Sequence, residues 1–221
     1  MKRDVSSGIL LIIGALAGVA VMALHPTAHR LMTGPDAARE TGINILVHGV
    51  ALAAVPVVFL GLLGASRRLG FPDLALAALV AWGFGAAAVI SAAVASGFVA
   101  PAVIERLIEA QGGERDVFHA LLAYTGFLNQ AFAKVYVMAT SAAILLWSAA
   151  IVKDRRLARS AGIAGILVGA ALLLGVLSGY LRLNVHGFGV VTLAQSAWLI
   201  WVGVLLCRGD ASRPGAAAGP A

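Results

Sequence analysis

Three histidines stand in matching places along this chain, in Val47-His48-Gly49, Phe118-His119-Ala120 and Val185-His186-Gly187. Each sits between an apolar and a small residue at the start of an apolar stretch. An arginine precedes each one (Arg39, Arg115, Arg182), and an asparagine precedes two (Asn44, Asn184). Imidazole is the commonest side-chain metal ligand. Three of them with an open fourth position suit zinc or copper, and a facing pair suits the axial positions of haem. His25 ends the first apolar stretch, with His29 four residues on. The expected site is therefore a cluster of His48, His119, His186 and His25 that holds a divalent metal or haem. For any one histidine alone, the plainer expectation is a ring at an interface, capping or hydrogen-bonding backbone.

What must position these residues is set by composition. The chain has 221 residues, 61% hydrophobic and 12% charged, with a mean hydropathy of +0.95. Soluble domains carry about 25% charged residues. A soluble fold of this length could not bury so much apolar surface, so the lipid bilayer is the expected partner. A net charge of +6 raises nucleic acid, but that needs basic residues grouped on one polar face. Here they lie in short loops between apolar runs, as orientation signals do, so no nucleic-acid partner is expected.

A spanning helix needs about 20 apolar residues. Six stretches qualify, at 8–24, 43–65, 74–96, 117–152, 161–181 and 185–207. The first stops at His25-Pro26 because the residue before proline is pushed out of the helical region. The expected fold is all-α, an integral membrane six-helix bundle forming one transmembrane domain over 1–208, with a disordered tail at 209–221. The repeated histidine suggests three helical hairpins in series. With the N-terminus inside, the inner segments hold ten Lys and Arg residues (Lys2, Arg3, Arg67, Arg68, Lys153, Arg155, Arg156, Arg159, Arg208, Arg213). The outer loops hold five (Arg30, Arg39, Arg106, Arg115, Arg182). The positive-inside rule then puts both termini in the cytoplasm of a bacterium, with the chain multi-pass in its inner membrane. The first stretch also fits a cleavable signal peptide, although its 17 apolar residues exceed the usual run of about 7 to 15.

The third loop carries Pro101 at its start and Gln111-Gly112-Gly113 at its end. Val103, Ile104, Leu107 and Ile108 would share one face beside Glu105 and Glu109, which predicts a short amphipathic helix on the outer surface or a lid packed on the bundle. Glycines four apart (Gly14 and Gly18, Gly165 and Gly169, Gly175 and Gly179) let backbones approach closely. They serve packing within the chain or a homo-oligomer face. Cys207 stands alone at the end of the last run, so no intrachain disulfide exists.

The fourth stretch adds a polar stripe. At 100° per residue, His119, Gln130, Lys134, Ser141 and Ser148 fall within about 60° of one another. Lys134 lies about 28 Å from Lys153 along a helix, near the outer interface, where its amine can snorkel. The same count puts His119 above the bilayer. It rejoins the other histidines only by tilt or by a break near Gly126.

Three functional classes follow. One is a metal or haem protein of the outer face. Another is a small permease or proton-coupled carrier of an unspecified small molecule, with the Gln130, Lys134 and Ser141 stripe and Gln195 lining a path. The third is a non-catalytic membrane scaffold. No Gly-x-Ser-x-Gly elbow, His-Glu-x-x-His pair or glycine-rich phosphate loop occurs, so the sequence points away from an enzyme. Reporter fusions placed after Arg67 and after Arg115 should report opposite sides of the membrane. The same side for both would overturn the six-span topology.

Overall fold

The computed structural model describes residues 2–26 and 37–209, and no strand occurs among them. His29, Arg30 and the C-terminal tail from residue 210 lie outside the described residues. The helices are α1 (Lys2–Leu24), α2 (Ala37–Arg68), α3 (Asp73–Val94), α4 (Ala100–Glu109), α5 (Gly113–Asp154), α6 (Arg159–Leu177) and α7 (Val185–Arg208). A single π-helical segment, Ala95–Val99, joins α3 to α4. Among the described residues, six helices are long and apolar enough to cross a membrane, with α3, the π segment and α4 counted as one. The protein is a multi-pass α-helical membrane protein by length and composition.

Stops between helices follow local chemistry. Between α2 and α3, Gly70 takes a positive φ of 77° and is followed by Phe71 and Pro72. That is a left-handed turn and a residue that cannot donate a backbone bond. Asn184 caps α7, its side-chain oxygen accepting from Gly187 N at 2.9 Å. α2 runs through Pro56 without a break.

The helices form two layers. In one, α1 lies between α2 and α7, and in the other α5 lies between α3 and α6. Within each layer glycines bring backbones together. Gly8 and Gly203 meet where α1 crosses α7, Gly14 and Gly61 face Val58 and Leu11 between α1 and α2, and Gly165 and Gly169 face Ser148 and Leu145 between α5 and α6. The Gly14/Gly18 and Gly165/Gly169 spacings are thus used for packing inside the chain, whereas Gly175 meets only Leu181 just beyond its own helix and Gly179 has no neighbour within 4 Å. α1 is integral to the bundle, with Leu11 fully buried.

Two expectations change. The serial arrangement of three hairpins fails at its third member, because α7 packs mainly on α1, and α6 on α5. Gly8 and Gly203 allow that exchange of partner by letting the first and last helices touch. The amphipathic helix of the third loop is also not a separate element on a surface. It is α4, continuous with α3 through the π segment and packed along α5. Its buried stripe is Pro101, Ile104 and Leu107, a spacing of three that fits one helical face. Ile108, expected on that face, is exposed.

Between layers the contacts are made by long side chains. Trp147 Nε1 donates to Ser66 Oγ at 2.9 Å, joining α5 to α2. Trp198 Nε1 donates to the Ala161 carbonyl at 3.1 Å, joining α7 to α6. Both tryptophans belong to the main apolar core, with Leu62, Ile144, Ile151 and Val202. Trp147→Ala should cost about 3–5 kcal/mol, because it removes a fully buried indole and orphans Ser66. Denaturation of the purified protein in detergent measures this, and Lys134→Ala, at an exposed position, should leave the midpoint nearly unchanged.

Candidate functional site

A two-lobed cavity lies between the layers, where the central helices α1 and α5 stay apart. The upper lobe, of about 130 Å³, opens at the histidine end and is lined by Met22, His25, His48, Ser96, Asn129, Gln130 and Asn184, among apolar residues. The lower lobe, also about 130 Å³, runs toward the tryptophan core past Tyr136, Thr140, Gln195 and Ser196. Val21, Met22, Ala51, Val89 and Phe188 line both lobes.

At the mouth, two imidazoles meet. The His25 and His48 ring centroids are 4.9 Å apart, with the planes inclined at 68°. His48 Nδ1–H donates to the Asn44 carbonyl, one turn earlier on α2, at 2.8 Å. His25 Nδ1–H donates to the Pro26 carbonyl, also at 2.8 Å. A carbonyl oxygen only accepts, so the ring nitrogen in each bond must carry the proton. In a neutral ring that leaves Nε2 with its lone pair. Neither Nε2 has a hydrogen-bond partner among the described residues.

His48 is held from three sides. Asn44 is fully buried, and its Nδ2 donates to the Ser96 carbonyl of the π segment at 3.0 Å. Gly97, in the same segment, lies against the His48 ring where any Cβ would collide with it. The Asn44 carbonyl takes the ring proton. The wide turn of a π segment is a recurring feature of functional sites, and here it receives the polar residues of α2.

The lower lobe carries a closed polar loop. Tyr136 O–H donates to Gln195 Oε1 at 3.2 Å, Gln195 Nε2 donates to Thr140 Oγ1 at 2.8 Å, and Thr140 O–H donates to the Tyr136 carbonyl at 2.8 Å. The Gln195 amide of α7 is therefore satisfied at both its oxygen and its nitrogen by α5. Phe188 packs on Tyr136 with ring centroids 5.7 Å apart.

The structure brings His25 and His48 together and leaves His119 and His186 exposed. Among the described residues no three His, Cys, Asp or Glu side chains gather as a metal-binding group, so the threefold set expected from the repeat is not assembled. α5 runs unbroken through Gly126, which carries His119 about 16 Å along the axis beyond Gln130. On α7 the cavity is faced by Val185 and Phe188, and His186 is turned away from that face by about 100° per residue.

The polar stripe also divides. Gln130 borders the upper lobe and Lys134 is exposed. Ser141 and Ser148 are fully buried without hydrogen-bond partners, in the stretch of α5 that packs on the α6 glycines. The cavity face of α5 is Asn129, Ala133, Tyr136, Thr140, Ile144 and Trp147. Those positions repeat every three or four residues, a signal the sequence carries but the Lys134 stripe drew attention from. Gln195 does line the cavity, as expected. Asn44 was noted only as part of the frame before His48, and Met22, Tyr136 and Thr140 were missed.

Comparison of the chain with protein-family models, curated proteins and solved structures gives no match. The chemistry of the site rests on its own geometry.

Histidine ¹⁵N NMR of the metal-free protein should show neutral His48 as the Nδ1–H tautomer. Gly97→Ala, which puts a methyl group into the ring's place, should abolish that signature. An Nε2–H form in the wild type would refute the assigned hydrogen bond.

Proposed function

We propose that this protein binds a transition-metal ion through the Nε2 atoms of His25 and His48, at a cavity open to the outer face of a bacterial inner membrane. The single observation that carries this is the pair of Nδ1–H bonds to backbone carbonyls. Metal-ligating histidines almost always donate their second ring nitrogen in this way, which sets the tautomer and aims the ligand nitrogen.

The spacing supports an ion over haem. With metal–nitrogen bonds of about 2.0 Å, each ring centroid stands about 3.2 Å from the metal. Centroids 4.9 Å apart then subtend about 100°, close to a tetrahedral angle. Two axial imidazoles of haem stand on opposite sides of the iron, about 6 Å apart, with the macrocycle between them. A cavity of about 130 Å³ is also small beside the roughly 300–1,000 Å³ of pockets for drug-sized ligands. The excess of Lys and Arg in segments on the termini side supports cytoplasmic termini and an outward-facing site.

A second reading has one observation in its favour. The lower lobe continues the cavity to Gln195, Tyr136 and Thr140, as the vestibule of a small carrier would.

Purified protein from cells supplied with copper, zinc and iron should hold about one metal ion per chain by elemental analysis. His25→Ala and His48→Ala should each lower affinity at least about tenfold, whereas His119→Ala and His186→Ala should leave it unchanged. Affinity should fall as pH falls, because protons compete for the same Nε2 lone pairs. A metal-free preparation that takes up no added metal would end the proposal.

A further inference from the structure

We infer that the site selects a soft monovalent cation, Cu(I), with the Met22 thioether as its third ligand; this rests on the two-histidine metal site proposed above. Two independent features carry it. The first is position. Met22 lines the same lobe as His25 and His48, from the last turn of α1, which ends at Leu24 directly before His25. Its methyl end reaches to Gly189 of α7, so the side chain lies between α1 and α7, where it borders both lobes.

The second feature is charge. Among the described residues, no Asp, Glu or Cys lines either lobe. In the upper lobe the available donors are two imidazoles, one thioether, the Ser96 hydroxyl and the amide oxygens of Asn129, Gln130 and Asn184, none of which carries negative charge. An ion in a low-dielectric site with only neutral ligands keeps its full charge uncompensated. The Born cost of that transfer scales with the square of the charge, so a monovalent ion suffers about a quarter of the divalent cost. Hard divalent ions such as Mg²⁺ and Ca²⁺ want several carboxylate or carbonyl oxygens, and zinc sites of this size gain from thiolate or carboxylate ligands. Thioether and imidazole together suit Cu(I).

The test uses the full chain in lipid nanodiscs. Cu(I) is presented anaerobically against a chromogenic Cu(I) chelator, Ag(I) serves as a redox-inert monovalent probe, and Zn(II) is the divalent comparison. The expected result is one Cu(I) or Ag(I) per chain, held at least tenfold more tightly than Zn(II). X-ray absorption at the copper edge should show nitrogen scatterers and one sulfur. Met22→Leu keeps the side-chain volume and the contact with α7. It should lower Cu(I) affinity at least tenfold, remove the sulfur scatterer and leave Zn(II) affinity unchanged, whereas His48→Ala should weaken both metals. Tighter binding of Zn(II) than Cu(I), or a wild-type copper site without sulfur, overturns Cu(I) selection and leaves the two-histidine metal site standing. Absence of any metal binding overturns both.

Discussion

Asn44 is the residue on which the site depends. It is buried in an otherwise apolar stretch of α2, where an amide left unpaired would be costly. Its side-chain nitrogen donates to the Ser96 carbonyl while its side-chain oxygen has no hydrogen-bond partner, and its backbone carbonyl accepts from His48. One residue thus ties α2 to the π segment and sets the tautomer of the ring one turn further on. The π turn supplies the rest, placing Ser96 within reach and putting a residue without a Cβ against the imidazole. If α3 passed into α4 as a regular α-helix, every residue beyond the turn would rotate relative to α2, and this match would be lost.

The separation of the two layers has a related cause. Within each layer, glycines allow close backbone contact, which in a bilayer must replace the missing hydrophobic drive between helices. Between layers, the partners are tryptophan, tyrosine, glutamine and asparagine, whose length holds α1 and α5 apart. Space therefore remains along the middle of the bundle. The tryptophans fill it toward the termini, with Trp147 on Ser66 and Trp198 on the Ala161 carbonyl. Toward the histidine end, smaller and more polar side chains leave it open. The Gln195 loop stands at the change from filled to open, with both ends of its amide paired.

How much of this was legible in the sequence depended on the range of the interaction. The spans were readable because hydropathy is local, and the expected start at 185 and stop at 24 match α7 and α1. The extension of α5 across 42 residues was foreshadowed by the length of its apolar run. What decided the fate of His119 was whether Gly126 breaks that helix, and a glycine inside a spanning helix is tolerated when neighbours pack around it. His186 failed for a different reason. Matching sequence position on parallel helices fixes depth along the bundle but not rotation about the helix axis, and α7 faces the cavity with its neighbours instead. The exchange of partner that puts α7 beside α1 is long-range, between residues 8 and 203. No local pattern encodes it. His25 was named as a ligand, yet its meeting with His48 depends on the α1–α2 crossing, which only the folded chain reveals.

The histidine pair also limits what else the cavity can do. Among the described lining residues there is no carboxylate, so a proton passing through the upper lobe would have to rest on imidazole. Each ring already commits Nδ1–H to a carbonyl, which leaves one lone pair per ring. That lone pair can hold a proton or a metal ion, but not both. Metal and proton are therefore competitors for the same two atoms, and a ring that accepts a proton becomes a cation beside its neighbour 4.9 Å away. Two imidazolium ions at that distance repel each other strongly in a low-dielectric setting. The arrangement is thus better suited to a pair of neutral rings sharing one soft cation than to a proton relay. On the proposed reading, a cation arriving from water would exchange hydration for the nitrogen ligands of these rings before it met the apolar interior.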